Sequence, residues 1–251
     1  MTSSAIDMNE LTIRFGGLTA VDRLSATVPK GSFSVVIGPN GCGKSTLLRA
    51  VAQVRPADEG SVTMLGHDVA RMGRRQLART CSLLPQTTVA PRGLRVGELV
   101  ARGRHPYHSF LSSSAPGDSE AINRAVERAG VADLVDRYVH ELSGGQRQRV
   151  WLAMVLAQET PVILLDEPTN GLDPDIALTV RTLIRSLAED GAAILLTSHL
   201  LGEIEDLAHT ITVLGAGSVA VSGSLEDVAA HAGRPLSLIR YYLLELNLLA
   251  V

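Results

Sequence analysis

The stretch Gly38-Pro39-Asn40-Gly41-Cys42-Gly43-Lys44-Ser45 decides the fold of this chain. It matches the spacing G-x-x-x-x-G-K-[ST] and lies between an apolar strand predicted over 32–37 and a helix predicted over 44–54. Glycines allow successive backbone N–H groups to converge on phosphate oxygens, and the N-terminus of the following helix favours anions. The pattern therefore predicts a phosphate-binding loop in an α/β fold, rather than a glycine turn that happens to precede a lysine.

Lysine is rare in this sequence, which makes the lysine of the motif informative. Only Lys30 and Lys44 are lysines, and arginine supplies the other 21 of the 23 basic residues. We expect Lys44 to reach the β- and γ-phosphates of a nucleotide and Ser45 to bind Mg²⁺. Thr46 follows at the same helix N-terminus and belongs to the predicted nucleotide site.

A second motif is an apolar strand, predicted over 162–165, that ends in two carboxylates. Neighbouring residues on a strand point to opposite sides, so Asp166 and Glu167 can serve different atoms. We expect Asp166 to hold hydrated Mg²⁺, and Glu167 to orient or deprotonate the water that attacks the γ-phosphate. The alternative is an exposed pair of acids at a strand end.

The third motif, Leu142-Ser143-Gly144-Gly145-Gln146, opens a helix predicted over 146–156. Ser143 is a favourable N-cap residue, and the two glycines leave backbone N–H groups accessible at the helix N-terminus. This motif predicts a second anion-binding site, to which Gln146 belongs.

The order of the remaining segments indicates one α/β domain. Strands predicted at 81–84, 162–165 and 192–197 alternate with helices, which implies a parallel sheet. Apolar positions at helical spacing between 96 and 139 indicate a helical insertion. We therefore expect a nucleotide-binding core at 1–86 and 155–225, a helical subdomain at 87–154 and a tail at 226–251.

Composition excludes several classes of protein. With 251 residues, of which 45% are hydrophobic and 20% charged, the chain can bury a large core. Its net charge of −3 provides no global positive field for nucleic acid. No apolar run is long enough to span a bilayer, and we expect no signal peptide at the N-terminus. Cys42 and Cys81 indicate reduced thiols in a cytosolic protein.

The three motifs, in this order, resemble those of the ABC-transporter ATPases. The resemblance implies a P-loop NTPase fold of ABC type: α/β, with a mixed and largely parallel sheet core, a small N-terminal antiparallel β part and an inserted α-helical subdomain. It also implies ATP and Mg²⁺ as cofactors and a head-to-tail dimer. In such a dimer Ser143, Gly145 and Gln146 of one subunit close on the nucleotide held by the phosphate loop of the other, and Gly144 is counted with them as nucleotide-binding.

The resemblance assigns four further residues. Gln86 corresponds to a glutamine that reaches Mg²⁺ and relays to the membrane subunit, and His199 to a histidine that contacts the γ-phosphate. Asp173 corresponds to an aspartate that couples the two sites, and Phe15 to the aromatic residue that stacks on adenine. Taken alone, Gln86 would be an ordinary loop amide and His199 a solvated histidine. Asp173 would be a turn-forming acid before Pro174, and Phe15 a core phenylalanine.

The segments 37–50, 101–107 and 142–159 look closest to ATPases of ferric-siderophore, haem and cobalamin importers. The segments 169–172 and 197–213 look more like ATPases of drug or polymer exporters. We therefore expect import of a ferric siderophore or related metal chelate, with export as the alternative. A soluble ABC protein of repair or translation would need coiled-coil arms or two ATPase units, which 251 residues cannot hold.

The importer interpretation carries expectations about partners. They are a second ATPase subunit, an integral membrane permease and, indirectly, a substrate-binding lipoprotein, with no nucleic acid. We expect a cytoplasmic protein that is peripheral on the inner face of the cell membrane.

Three features remain open at this level. From Arg71 to Arg104 the sequence has eight arginines and a single acid, Glu98. These arginines form either a solvated face or a contact with a permease or with anionic headgroups. Cys42 is either an oxidisable thiol or a tolerated small residue. Apolar residues at helical spacing over 236–250 indicate a packed terminal helix, or a membrane or dimer contact.

Overall fold

The computed structural model describes residues 4–109, 112, 114–199 and 208–232. Its strands are β1 (Ser4–Phe15), β2 (Leu18–Pro29), β3 (Phe33–Ile37), β4 (Glu59–Met64), β5 (His67–Asp68), β6 (Cys81–Leu84), β7 (Val162–Asp166), β8 (Ala193–Ser198), β9 (Thr210–Gly215) and β10 (Ser218–Gly223). Its α-helices are α1 (Lys44–Val51), α2 (Arg74–Thr80), α3 (Val96–Ala101), α4 (Asp118–Arg128), α5 (Gly144–Ala157), α6 (Pro174–Glu189) and α7 (Leu225–Ala232). A 3₁₀ segment, Arg102–Tyr107, follows α3.

The main sheet has six strands in the order β10-β9-β3-β8-β7-β6. β6, β7, β8, β3 and β9 run parallel, and only the edge strand β10 is antiparallel to its neighbour. Every residue of β3, β7 and β8 is buried, as expected for parallel strands covered on both faces. Because parallel strands end at the same edge, the phosphate loop after β3 lies beside the residues that end β7 and β8.

A second, smaller sheet covers one face of the first. It has the antiparallel order β2-β1-β4-β5, and the turn Gly16–Gly17 joins its first two strands. Alternate residues of the main sheet pack towards it and α1, whereas their neighbours pack towards α5 and α6. Val36, Leu164 and Leu195 thus belong to one core, and Val35, Ile163 and Ile194 to the other.

A third apolar core holds the helical part together. It includes Leu99 of α3, Ala125 of α4 and Val150 of α5. Helix α5 also packs Leu152 and Val155 against the main sheet, so this helix belongs to both cores. The helix that the third motif opens is therefore held on two sides.

Two helix boundaries differ by two residues or more from the sequence-based expectation. α1 ends at Val51 instead of continuing to residue 54, and Gln53 lies just beyond it with φ 54°, outside helical geometry. α5 begins at Gly144, two residues early, because Ser143 caps it. The apolar positions predicted at helical spacing over 236–250 lie outside the described residues. Among the described residues, no helix is both long and apolar enough to cross a membrane.

The eight arginines between Arg71 and Arg104 do not all lie on the surface. Arg104 is 5% exposed, and its guanidinium pairs with Asp118 at 2.9 Å and Glu159 at 2.8 Å. Burial opposes its charged form, but the hydrogen bond to Asp118 and the charge of Glu159 outweigh burial and raise the pKa of Arg104. The expectation of one exposed basic face is therefore wrong at Arg104, which is a buried structural residue.

Candidate functional site

The phosphate loop is held by two close backbone approaches. Gly43, the N-cap residue of α1, has φ 109°, and a Cβ added there would lie 2.3 Å from the carbonyl oxygen of Ala20 in β2. A Cβ added at Gly38 would lie 2.2 Å from the carbonyl oxygen of Leu214 in β9. These glycines are therefore required by packing as well as by the shape of the loop, and they fix the loop between the two sheets.

Lys44 is buried, with 4% of its surface exposed. Its ammonium donates hydrogen bonds to the carbonyl oxygens of Gly38 at 2.9 Å and Pro39 at 3.0 Å. The ammonium also lies 3.5 Å from Oε1 of Glu167. The structure thus brings the lysine of the first motif and the second carboxylate of the second motif into one ion pair.

Asp166 accepts two hydroxyl hydrogen bonds on a single oxygen. Ser45 Oγ donates to Asp166 Oδ1 at 2.9 Å, and Thr197 Oγ1 donates to the same atom at 2.7 Å. Residues 166 and 197 are partners in the register of β7 and β8. Thr197 was not among the predicted site residues, although its position at the end of a predicted buried strand is a usable signal.

Glu167 has a backbone conformation that is uncommon for a residue with a side chain. Its φ is 48°, and its N–H donates to both the carbonyl and the hydroxyl oxygen of Thr197, each at 3.1 Å. Such conformations persist where the surroundings enforce them, and they concentrate at functional sites. The turn directs the Glu167 carboxylate towards the phosphate loop.

Four side chains surround the Glu167 carboxylate. Gln86 Nε2 donates to its Oε2 at 2.9 Å, and Asn170 Nδ2 donates to the same oxygen at 3.0 Å. His199 Nδ1 lies 3.4 Å from Oε1, beside Lys44. The predicted Gln86, Glu167 and His199 therefore meet, and they are joined by Asn170, which was not predicted from the sequence.

The third motif forms a capping box. Ser143 Oγ accepts from the N–H of Gln146 at 3.3 Å, and Gln146 Oε1 accepts from the N–H of Ser143 at 3.1 Å. A Cβ added at Gly144 would meet nothing within 4 Å, so this glycine faces open space. At Gly145 the same atom would lie 2.4 Å from Cδ1 of Ile176 in α6, so Gly145 packs inside the chain.

Phe15 and Asp173 are both on the surface. Phe15 is 50% exposed, which excludes the alternative of a core phenylalanine, and the guanidinium of Arg55 lies 4.2 Å from its ring centroid. Asp173 is exposed at the N-cap of α6, directly before Pro174. In the part of the chain that the structure describes, neither residue contacts Lys44 or Glu167.

Both cysteines are buried. Burial raises the pKa of the Cys42 thiol despite the nearby charge of Lys44, and it raises the pKa of Cys81 to about 12. Both side chains therefore remain protonated near neutral pH. For Cys42 this favours the alternative of a tolerated small residue over that of an oxidisable thiol.

Comparison with known proteins agrees with this geometry. The sequence model of the ABC transporter family matches residues 21–170. This chain belongs to that family. The predicted fold class is confirmed as well, because a nucleotide-free ATP-binding cassette from an ABC transporter superposes with a TM-score of 0.82. That structure is 25% identical and covers 95% of this chain and 99% of its own.

Two curated relatives narrow the position within the ABC family. The achromobactin transport ATP-binding protein of Dickeya dadantii is 43% identical over 197 residues, which cover 78% of this chain and 73% of the relative. The iron(3+)-hydroxamate import ATP-binding protein of Bacillus subtilis is 38% identical over 226 residues, 90% of this chain and 84% of the relative. The chain is an ABC ATPase, and its domain binds ATP.

Proposed function

We propose that this ABC ATPase powers the import of a ferric siderophore or a related metal chelate. Relatives named for achromobactin transport and iron(3+)-hydroxamate import support this over most of the chain. Support for an exporter is weaker. It rests on the resemblance of two short segments, 169–172 and 197–213, whereas the import relatives match most of the chain.

The observation that carries the ATPase mechanism is the convergence of Lys44, Ser45, Asp166 and Glu167 at one sheet edge. We infer that Lys44 exchanges the Gly38 and Pro39 carbonyls for oxygens of the β- and γ-phosphates. The backbone of the loop, including Asn40, Gly41 and Thr46, binds the remaining phosphate oxygens.

The residues around Asp166 fit Mg²⁺, because a hydroxyl and a carboxylate oxygen already lie within 2.9 Å of each other and such hard oxygen donors are its preferred ligands. Ser45 and Asp166 would hold the ion. Gln86 donates a hydrogen bond to the neighbouring carboxylate, that of Glu167. Among the described residues, no group of three or more His, Cys, Asp or Glu side chains could hold a metal ion, which suits an ion completed by phosphate and water. When bound, Mg²⁺ would neutralise charge on the β- and γ-phosphates.

Glu167 is the general base of the proposed mechanism. Gln86 and Asn170 hold Oε2, which leaves Oε1 to accept the proton of the attacking water. His199, beside Oε1, would contact the γ-phosphate. A positioned base contributes roughly 10²–10⁴ to the rate, so Glu167 is the residue whose loss should stop hydrolysis with the site otherwise intact.

The proposed assembly is a head-to-tail dimer on the inner face of the cell membrane. Ser143, Gly144, Gly145 and Gln146 would complete the partner's site, Asp173 would couple the two sites, and Phe15 would stack on adenine. Gln86 would relay to an integral membrane permease that receives its cargo from a lipoprotein. The subdivision into 1–86 with 155–225, 87–154 and 226–251 belongs to this proposal, and the apolar core of the helical part supports it.

Iron uptake tests the proposal. We would delete the gene and measure uptake of ⁵⁵Fe-labelled ferric siderophores, hydroxamate and catecholate, under iron limitation. Uptake of at least one should fall and should be restored by the wild type and by Lys30→Ala, which changes the exposed lysine, but not by Lys44→Ala. Unchanged uptake together with new drug sensitivity would favour the exporter.

A further inference from the structure

The Phe15 ring is covered on one face by a cation. The Arg55 guanidinium carbon lies 4.2 Å from the ring centroid, well inside the range of about 6 Å for a cation–π contact. Half of the Phe15 side chain nevertheless remains exposed. Part of the ring therefore stays accessible to a flat ligand although Arg55 lies over it.

Arg55 is anchored beside the ring and is not a free surface cation. Its Nη2 donates to the carbonyl oxygen of Arg14, the residue before Phe15, and lies 3.7 Å from Oδ2 of Asp58. Oδ2 of Asp58 also accepts from the N–H of Arg14 at 2.6 Å. The end of β1, the guanidinium and Asp58 therefore form one hydrogen-bonded unit that fixes the guanidinium at the ring.

This unit is tied to the phosphate loop from two sides. Arg55 lies four residues after the end of α1, the helix that begins at Lys44. Phe15 lies at the turn of the β1–β2 hairpin, and Ala20 of the same hairpin approaches the loop at Gly43. The ring and the cation that covers it thus both lie on chain segments that flank the phosphate loop.

We propose that Arg55 is a positioning residue of the nucleotide site. It holds the Phe15 ring so that the face of the ring away from Arg55 stacks on the base of ATP. The proposal rests on the role given to Phe15 above. A phenylalanine has no hydroxyl through which the protein could orient it, so its orientation must come from contacts to the ring itself. Arg55 provides such a contact on the face away from the base.

The test compares ATP with inorganic tripolyphosphate, which has phosphates but no base. Both would be titrated with Mg²⁺ into the full chain by calorimetry. Phe15→Ala should weaken ATP binding about tenfold, in keeping with stacking on an aromatic ring. Arg55→Ala should weaken it about three- to fivefold, and the double variant should bind no more weakly than Phe15→Ala. The affinity for tripolyphosphate should not change in any of these variants.

Arg14→Ala is the matched control. Its guanidinium pairs with Glu59 at 2.6 Å, so the variant removes the same charge next to Phe15 without uncovering the ring. It should leave ATP affinity within about twofold, since exposed pairs contribute little. If Arg55→Ala does not fold, Arg55→Gln replaces it, because glutamine keeps a donor for the Arg14 carbonyl and removes the charge over the ring.

Three results would overturn the inference: ATP affinity unchanged in Arg55→Ala while Phe15→Ala weakens it, equal weakening of ATP and tripolyphosphate, or additive losses in the double variant. Failure of the role proposed for Phe15 looks different, because Phe15→Ala itself would then leave the affinity for ATP unchanged. Failure of the proposed phosphate site would show as Lys44→Ala leaving the binding of both ligands intact.

Discussion

At the scale of single residues, Thr197 connects the two carboxylates of the site. Its hydroxyl donates to Asp166 Oδ1 at 2.7 Å and accepts from the N–H of Glu167 at 3.1 Å, and the residue is fully buried. One side chain thus fixes the carboxylate proposed for Mg²⁺ and the backbone that aims the proposed base.

We predict that Thr197→Val destabilises the protein by about 1–3 kcal/mol, because a buried carboxylate loses a charge-assisted hydrogen bond and the Glu167 N–H loses an acceptor. Thr197→Ser keeps the hydroxyl and should lose less. Urea denaturation of both variants measures the difference. Equal stability of the two would show that the hydroxyl contributes nothing.

Gly145 and its neighbour Gly144 provide a second comparison at this scale. Gly145→Ala places a Cβ 2.4 Å from Ile176 Cδ1, and we predict a cost of about 1–2 kcal/mol for this overpacking. Gly144→Ala meets open space and should be neutral or stabilising by up to about 1 kcal/mol, because alanine favours helix. Thermal unfolding measures the stability of both variants. Adding Ile176→Val should restore the stability of Gly145→Ala and should not change that of Gly144→Ala. If Gly145→Ala is as stable as the wild type without Ile176→Val, the packing of Gly145 against Ile176 is contradicted.

At the scale of elements, a buried ion pair joins the 3₁₀ segment to α4 and to the end of α5. Arg104 bonds Asp118 at the start of α4 and Glu159 just after α5. Burial alone would raise the pKa of Asp118, but hydrogen bonds from Arg104, the Ala115 N–H and His108 outweigh it and lower the pKa below its ordinary 3.8. The Asp118 carboxylate therefore stabilises the fold above pH 3.8, and this stability is lost as pH falls through the lowered pKa.

We predict that Asp118→Asn lowers the free energy of unfolding by about 1–3 kcal/mol at neutral pH, since Arg104 loses a charged partner. The gap between wild type and variant should narrow below pH 3.8, where the wild-type carboxyl takes up its proton. Urea denaturation across this pH range measures it. Asp133→Asn, an exposed acid of the same helical part, is the control, and a gap that does not depend on pH would refute the assignment.

The elements show where sequence patterns suffice and where they fail. Apolar runs predicted β3, β7 and β8, because parallel strands buried on both faces are apolar throughout. A count of arginines could not tell that Arg104 faces inward, because its partners lie 14 and 55 residues further along the chain. Asn170, Thr197 and Arg55 were missed for the same reason: their contacts exist only after folding.

At the scale of the molecule, the parallel sheet brings the motifs together. β3 lies beside β8 and β8 beside β7, so segments more than 120 residues apart end at one edge, where Ser45 meets Asp166. The spacing of the motifs predicted their chemistry, and this topology explains why they converge. The position of the third motif over a partner's site is a matter of assembly and stays a prediction.

The most direct test of the central claim is phosphate release by Glu167→Gln in the presence of the permease. The amide keeps the shape of the side chain and cannot act as a base, so the variant should bind Mg·ATP and hydrolyse it at least about 100-fold more slowly. It should also accumulate as a closed dimer on size exclusion with ATP. Turnover at the wild-type rate by a variant that binds ATP and stays monomeric would contradict the account.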